Sequence, residues 1–185
     1  VTAFLVLAGI VLLVWLSIPR ATGDILPVHS ASANATVTSV DGLAASATHV
    51  AGAEIASIDS SGMLDCSVDA KITVESAGLT AGEIRLWLVR RLDDSTWPDV
   101  FDGTHSTETV TDTEIRDAIC RLAAVTVTDT TASRVYYLSI PSVKAVFGGN
   151  MPSAFVIFIT QSTVAALETS GNQITSKGNY LNVAS

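Results

Sequence analysis

Residues 64–75 read LDCSVDAKITVE. Leu64, Cys66, Val68, Ala70, Ile72 and Val74 alternate there with Asp65, Ser67, Asp69, Lys71, Thr73 and Glu75. Successive side chains of a strand point to opposite faces, so a sustained period of two demands a strand with one face buried and the other in water. Cys66 falls on the apolar face, where a thiol behaves as a small buried hydrophobe. This stretch decides the fold class, and its neighbours repeat its logic.

Downstream, Gly78 to Gly82 reads as a turn, and Ile84, Leu86 and Leu88 begin the next strand, with Arg85 and Trp87 on its other face. Val125 and Val127 alternate with Thr126 and Thr128, and the polar turn Asp129–Ser133 leads into 135–140, which predicts a hairpin. Residues 154–160 (AFVIFIT) are apolar on both faces, the pattern of a central strand covered on each side. Residues 174–183 would close the sheet with a break at Gly178, while 36–40 and 50–58 are weaker strand candidates. Together these predict an all-β antiparallel sandwich of about eight strands, jelly-roll-like. One short helix interrupts it. Thr111 and Glu114 fit a capping box, and Ile115, Ala118, Ile119 and Leu122 recur at helical spacing, with Arg116 and Arg121 off that stripe. A second short turn is predicted over 142–147, ended by Gly148-Gly149.

The chain has 185 residues and a net charge of −8, with 48% hydrophobic and 15% charged residues. Such a composition excludes intrinsic disorder, and the acidity argues against nucleic acid as a partner. Two cysteines, Cys66 and Cys120, are too few for a disulfide scaffold or a self-contained zinc site.

Upstream of the sandwich, residues 1–18 (VTAFLVLAGIVLLVWLSI) carry no charge. As a helix they would extend roughly 27 Å, near the lower limit for a bilayer. Pro19 and Arg20 end the run, and Trp15 lies where an interfacial aromatic belongs. The reading adopted is a hydrophobic N-terminal helix acting as an anchor or assembly segment. A secretory signal and a packed or upstream extension are its alternatives. Residues 19–36 read as a linker and 37–185 as the sandwich domain.

The segment 93–103 (DDSTWPDVFDG) is the most suggestive for a site. Asp93, Asp94, Asp99 and Asp102 are hard oxygen donors, yet their spacing fits no EF-hand and lacks the bidentate Glu, so no metal is expected. Two readings remain: a polar loop pinned to the core by Trp97, Pro98 and Phe101, or a contact loop in which Trp97, Pro98, Asp99, Phe101 and Asp102 meet a partner. Nucleophilic catalysis has little material. No G-x-S-x-G elbow occurs, and His29, His49 and His105 have no evident Ser or Cys partner. No catalytic residue and no cofactor is implied.

Four runs occur in order: LDCSVDAKITVESAGLTAGEIRLWLVRRLDD, TWPDVFDGTHSTETVT, YYLSIPSVKAVFGGNMPSAFVIFIT and SGNQITSKGNYLNV. Over roughly residues 43–185 the chain resembles a group of small tailed-phage virion proteins, usually described as hypothetical or structural. PDVFDGT and SVxxxFGG carry most of that resemblance. It implies a non-enzymatic bacteriophage virion component, a capsid-decoration or tail-associated protein that binds other virion proteins and forms homo-oligomers. The alternatives are a carbohydrate- or receptor-binding module, with Trp87 or Trp97 as an exposed platform, and a membrane-anchored structural protein touching the bilayer through residues 1–18.

Overall fold

The alternation over 64–75 becomes a strand whose burial follows the sequence residue by residue. In the computed structural model, which describes residues 25–75 and 80–183, Cys66, Val68, Ala70 and Ile72 are buried while Asp69 is exposed. The elements run β1 (Ile25–His29), β2 (Ala33–Asn34), β3 (Ala51–Asp59), β4 (Asp65–Thr73), β5 (Glu83–Arg90), β6 (Ser106–Thr109), α1 (Thr113–Ile119), β7 (Cys120–Val127), β8 (Val135–Ile140), α2 (Val143–Val146), β9 (Ala154–Gln161) and β10 (Gln173–Val183). The chain divides into a unit of residues 27–181, to which the core belongs, and another of 1–26 with 182–185. Residues 1–18, expected as an anchor, lie outside the described residues. Among those described, no helix is long and apolar enough to cross a membrane.

Two antiparallel sheets make an all-β sandwich. The front sheet has the order β1-β10-β4-β8, with β2 also on β10, and the back sheet has the order β6-β3-β9-β5-β7. Between them lies the main core, to which the front sheet gives Val68, Ile72, Leu138 and Ile174 and the back sheet gives Ile55, Ile84, Leu86, Leu88, Phe155, Ile157 and Ile159. The back sheet has a second apolar layer on its other side, formed by Trp87, Val89, Val156, Phe158 and Cys120 with Phe101 and Val110. Sandwiched between the two layers, β9 is buried along its whole length, as its doubly apolar sequence predicts.

Several expectations change. The predicted hairpin over 125–140 does not form, because β7 pairs with β5 in the back sheet and β8 with β4 in the front one. The turn at 129–133 is a corner between sheets, although chain adjacency favoured direct pairing. Val125 and Val127 point outward rather than into the core. Leu122 opposes Trp87 and Ala124 opposes Leu86, so β7 holds one extra residue, and this bulge reverses the phase of everything after it. The capping box is displaced by one position: Asp112, not Thr111, caps α1 by accepting from the Ile115 N–H. Arg116, read as off the apolar stripe, is buried, and Leu122 belongs to β7 and is half exposed.

Residues 36–40 form no strand, with a turn over 38–40, and β10 runs through Gly178 without a break, pairing it with Cys66. The stretch read as linker contributes β1, an apolar piece (ILPVH) whose Pro27 argues against a strand, and β2, only two residues long. The strand β6 escaped notice because its sequence, STET, is polar throughout. At 142–147 the expectation holds: Ser142 caps α2 and Gly148 and Gly149 take positive φ.

One glycine is fixed by close approach. A Cβ on Gly52 of β3 would come within 2.4 Å of the Ile159 carbonyl oxygen and 2.7 Å of the Phe158 ring. Backbone cannot yield as a flexible side chain does. Gly52→Ala should therefore cost about 3 kcal/mol, read as a lower urea midpoint with an unchanged slope. A midpoint equal to wild type would show that the Phe158 ring does not lie over β3.

Candidate functional site

The segment from Leu92 to Thr111 folds over the outer face of the back sheet, and its sequence explains how. Pro98 is buried, and Asp99 adopts φ +52, a left-handed conformation that Asp tolerates better than most residues. Its two carboxylate oxygens accept from the backbone N–H and hydroxyl of Thr111, at 3.0 and 2.8 Å, so the beginning and end of the loop are tied together. Phe101 is 4% exposed and meets Phe158 edge-on, with centroids 5.1 Å apart. Asp102 accepts from the N–H and hydroxyl of Thr104, which hold its carboxyl below the usual range. Asp93 turns the chain in the same way with Ser95 and Thr96, and their hydrogen bonds bring it down to about 2.

Gly103 joins these parts. At φ +81 it lies under the half-buried Trp97, whose Nε1 would be 2.7 Å from a Cβ. Its carbonyl accepts from Ser57 N–H, and its own N–H donates to Glu54 Oε1 at 2.8 Å. Of the five candidate contact residues, Pro98 and Phe101 are thus committed to the monomer core. Trp97 is half covered, and Asp99 and Asp102 are exposed but occupied in holding the loop. The aspartates serve separate turns rather than one focus. Among the described residues, no group of three or more His, Cys, Asp or Glu is placed to hold a metal ion.

Beneath the loop lies a residue the sequence reading did not single out. Glu54 is fully buried on β3, and its Oε2 has no hydrogen-bond partner. Burial pushes its carboxyl up to about 7, against the pull of the Gly103 and Asp102 N–H groups, and the nearby Asp102 and Glu108 charges add to the rise. The signal available was a lone acid within the apolar run 51–58.

The histidines are engaged in hydrogen bonds. His49 is buried with φ +55. Thr160 accepts from Trp87 Nε1–H at 3.0 Å and directs its own hydroxyl toward His49 Nδ1 at 2.9 Å, which suits a neutral imidazole. Burial brings His49 down to about 4, assisted by the Arg85 charge. The guanidiniums of Arg116 and Arg85 lie over the Trp87 ring at 4.9 and 5.8 Å. Trp87 is therefore closed off as a platform. His105 Nε2 accepts the Ser39 N–H at 2.9 Å, and Ser39 Oγ donates onward to the Glu54 carbonyl. Cys66 sits between the sheets and Cys120 in the outer layer, both free, with the back sheet between them. Burial raises both thiols, Cys120 to about 12, which leaves neither a ready nucleophile.

The chain matches no family model, no curated protein and no solved structure.

Beside the loop, a cavity of about 420 Å³ is lined by Arg90, Arg121, Pro98, Ile119 and Phe147. None of the three ion pairs among the described residues involves Arg90 or Arg121. Two unpaired guanidiniums around an apolar floor suit a carboxylate carried on a protein surface. The site thus combines a pinned loop, a groove lined by Arg90 and Arg121, and the exposed apolar side chains of β7.

Proposed function

We propose that the chain is a non-enzymatic structural subunit of a tailed-phage virion, a capsid-decoration or tail-associated protein that forms homo-oligomers and binds other virion proteins. The edge strand β7 carries this reading. It ends the back sheet, so one side of its backbone has no strand partner, and its outward face shows Leu122, Val125 and Val127 at 48, 51 and 71% exposure. Monomeric proteins blunt such edges with charge, proline or a covering element, because an apolar edge recruits another chain. Arg121 is the only charged residue of this strand. The net charge of −8 keeps copies soluble until a specific contact forms.

The strand order adds support. Leaving aside β2 and β6, the order β1-β10-β4-β8 over β3-β9-β5-β7 is that of a double-sheet jelly roll, an architecture shared by capsid and lectin domains. That is analogy at the level of fold, and the resemblance over 43–185 points the same way.

The test is the native mass of the full chain and of Val125→Lys/Val127→Lys. Wild type should be a discrete oligomer, and the double variant should shift to monomer by roughly tenfold or more in dissociation constant, with its melting unchanged. A monomeric wild type would overturn the reading.

A further inference from the structure

The solvent face of the front sheet carries a second feature, independent of β7 and of the virion reading. Strand register aligns Gln173, Lys71 and Tyr137 in one row across β10, β4 and β8, and Thr175, Asp69 and Ser139 in the next. These six side chains line a cavity of about 340 Å³. Three strands and two rows give a patch of roughly 10 by 7 Å, the footprint of one or two sugar rings.

Apart from the Thr175 hydroxyl, which donates to the Asp69 carbonyl oxygen at 3.5 Å, the groups are open to a ligand. Tyr137 is 75% exposed, unlike its neighbour Tyr136, which is buried and hydrogen-bonded through its hydroxyl to Asp129. Lys71 and Asp69 enter none of the ion pairs among the described residues. Gln173 is steadied by Asn34 through Nε2, which leaves its carbonyl available.

We propose that this patch is a saccharide-binding site, with the Tyr137 ring as the stacking platform. A pyranose has an apolar C–H face, which stacks on the electron-rich face of an aromatic ring. Its hydroxyls both donate and accept, and around Tyr137 stand a carboxylate that accepts, an ammonium that donates, and an amide and two hydroxyls. Other occupants fit less well. A protein interface depletes charge at its centre, whereas this ring is flanked by Lys71 and faces Asp69 across the patch. A polyanion would find one cation offset by one carboxylate.

The experiment is saturation-transfer NMR on the full chain, with methyl glucoside, methyl mannoside, galactose, N-acetylglucosamine and their linear tetramers as probes. At least one sugar should receive transfer. Tyr137→Ala should weaken it by roughly tenfold while Tyr137→Phe retains it, because stacking needs the ring and not the hydroxyl. Asp69→Asn should weaken it less, and melting should be unchanged in all three. Absence of transfer to every probe overturns the proposal, as does binding indifferent to Tyr137→Ala. A Tyr137→Ala variant that alters native mass but not sugar binding would make this face a protein contact instead.

Discussion

Replacing Glu54 by Gln is expected to raise the melting temperature by roughly 6–12 °C at about pH 8 and to leave it nearly unchanged at about pH 4. Glu54 is fully buried, and burial lifts its carboxyl from 4.5 to about 7. Between those values the folded chain holds a proton that the unfolded chain has released. Stability therefore falls as pH rises through this window and stays low above it. A shift of this size corresponds to about 3 kcal/mol at a site with no solvent to screen it. Gln keeps an oxygen for the Gly103 N–H and places an amide where Oε2 already lacks a partner. The two neutral forms thus cost alike, and only the charge is removed. Melting curves of both proteins across the range decide it, and parallel profiles would show that Glu54 is ionised without penalty.

His49 makes that comparison sharper, because its sign is opposite. Burial brings its imidazole from 6.5 to about 4. In that interval the unfolded chain takes up a proton that the folded chain refuses, so stability rises with pH. The two windows overlap, with slopes that oppose each other. Wild type should therefore be nearly flat between about pH 4.5 and 6.5, and Glu54→Gln should expose the underlying rise.

How far the sequence foretold these features depends on what each one rests on. β4 and β9 were legible because burial alone writes their patterns, one face for β4 and both for β9. The phase of β7 was not, since a single inserted residue at the bulge turns Val125 and Val127 outward and leaves local composition untouched. Edge pieces such as β6, with the sequence STET, bury little and leave no periodic trace. PDVFDGT stood out as a motif, but its meaning is spread over distant partners. Asp99 reaches Thr111, Gly103 meets Trp97 and Glu54, and Phe101 meets Phe158. Only the last of these is the kind of contact that an apolar residue advertises. Glu54 was overlooked because one acid does not spoil a strand pattern, though a lone acid in an apolar run is the place to look for a shifted carboxyl. Tyr137 was counted as a strand residue, and its row with Lys71 and Gln173 exists only once the register across three strands is known.

The loop over the back sheet yields the other large effect. Phe101→Ala should cost about 3–5 kcal/mol, a substantial part of what a domain of this size has to lose. The ring is 4% exposed and packed edge-on to Phe158, so truncation leaves a cavity between the loop and β9. The surroundings have little room to collapse into it. Asp99 fixes the loop to Thr111, and Gly103 is held from both sides by Ser57 and Glu54. Trp97→Ala should cost less, about 1–2 kcal/mol, because that ring is only partly buried, lying over Gly103 and against the margin of the outer layer. The pair separates core from contact. If the segment binds a partner, Trp97→Ala weakens that binding while the fold persists, whereas Phe101→Ala lowers the unfolding midpoint of the isolated chain before any partner is present. A Phe101→Ala protein that melts with wild type would mean that the loop is not docked on β9, and the burial of Glu54 beneath it would fall with the same result.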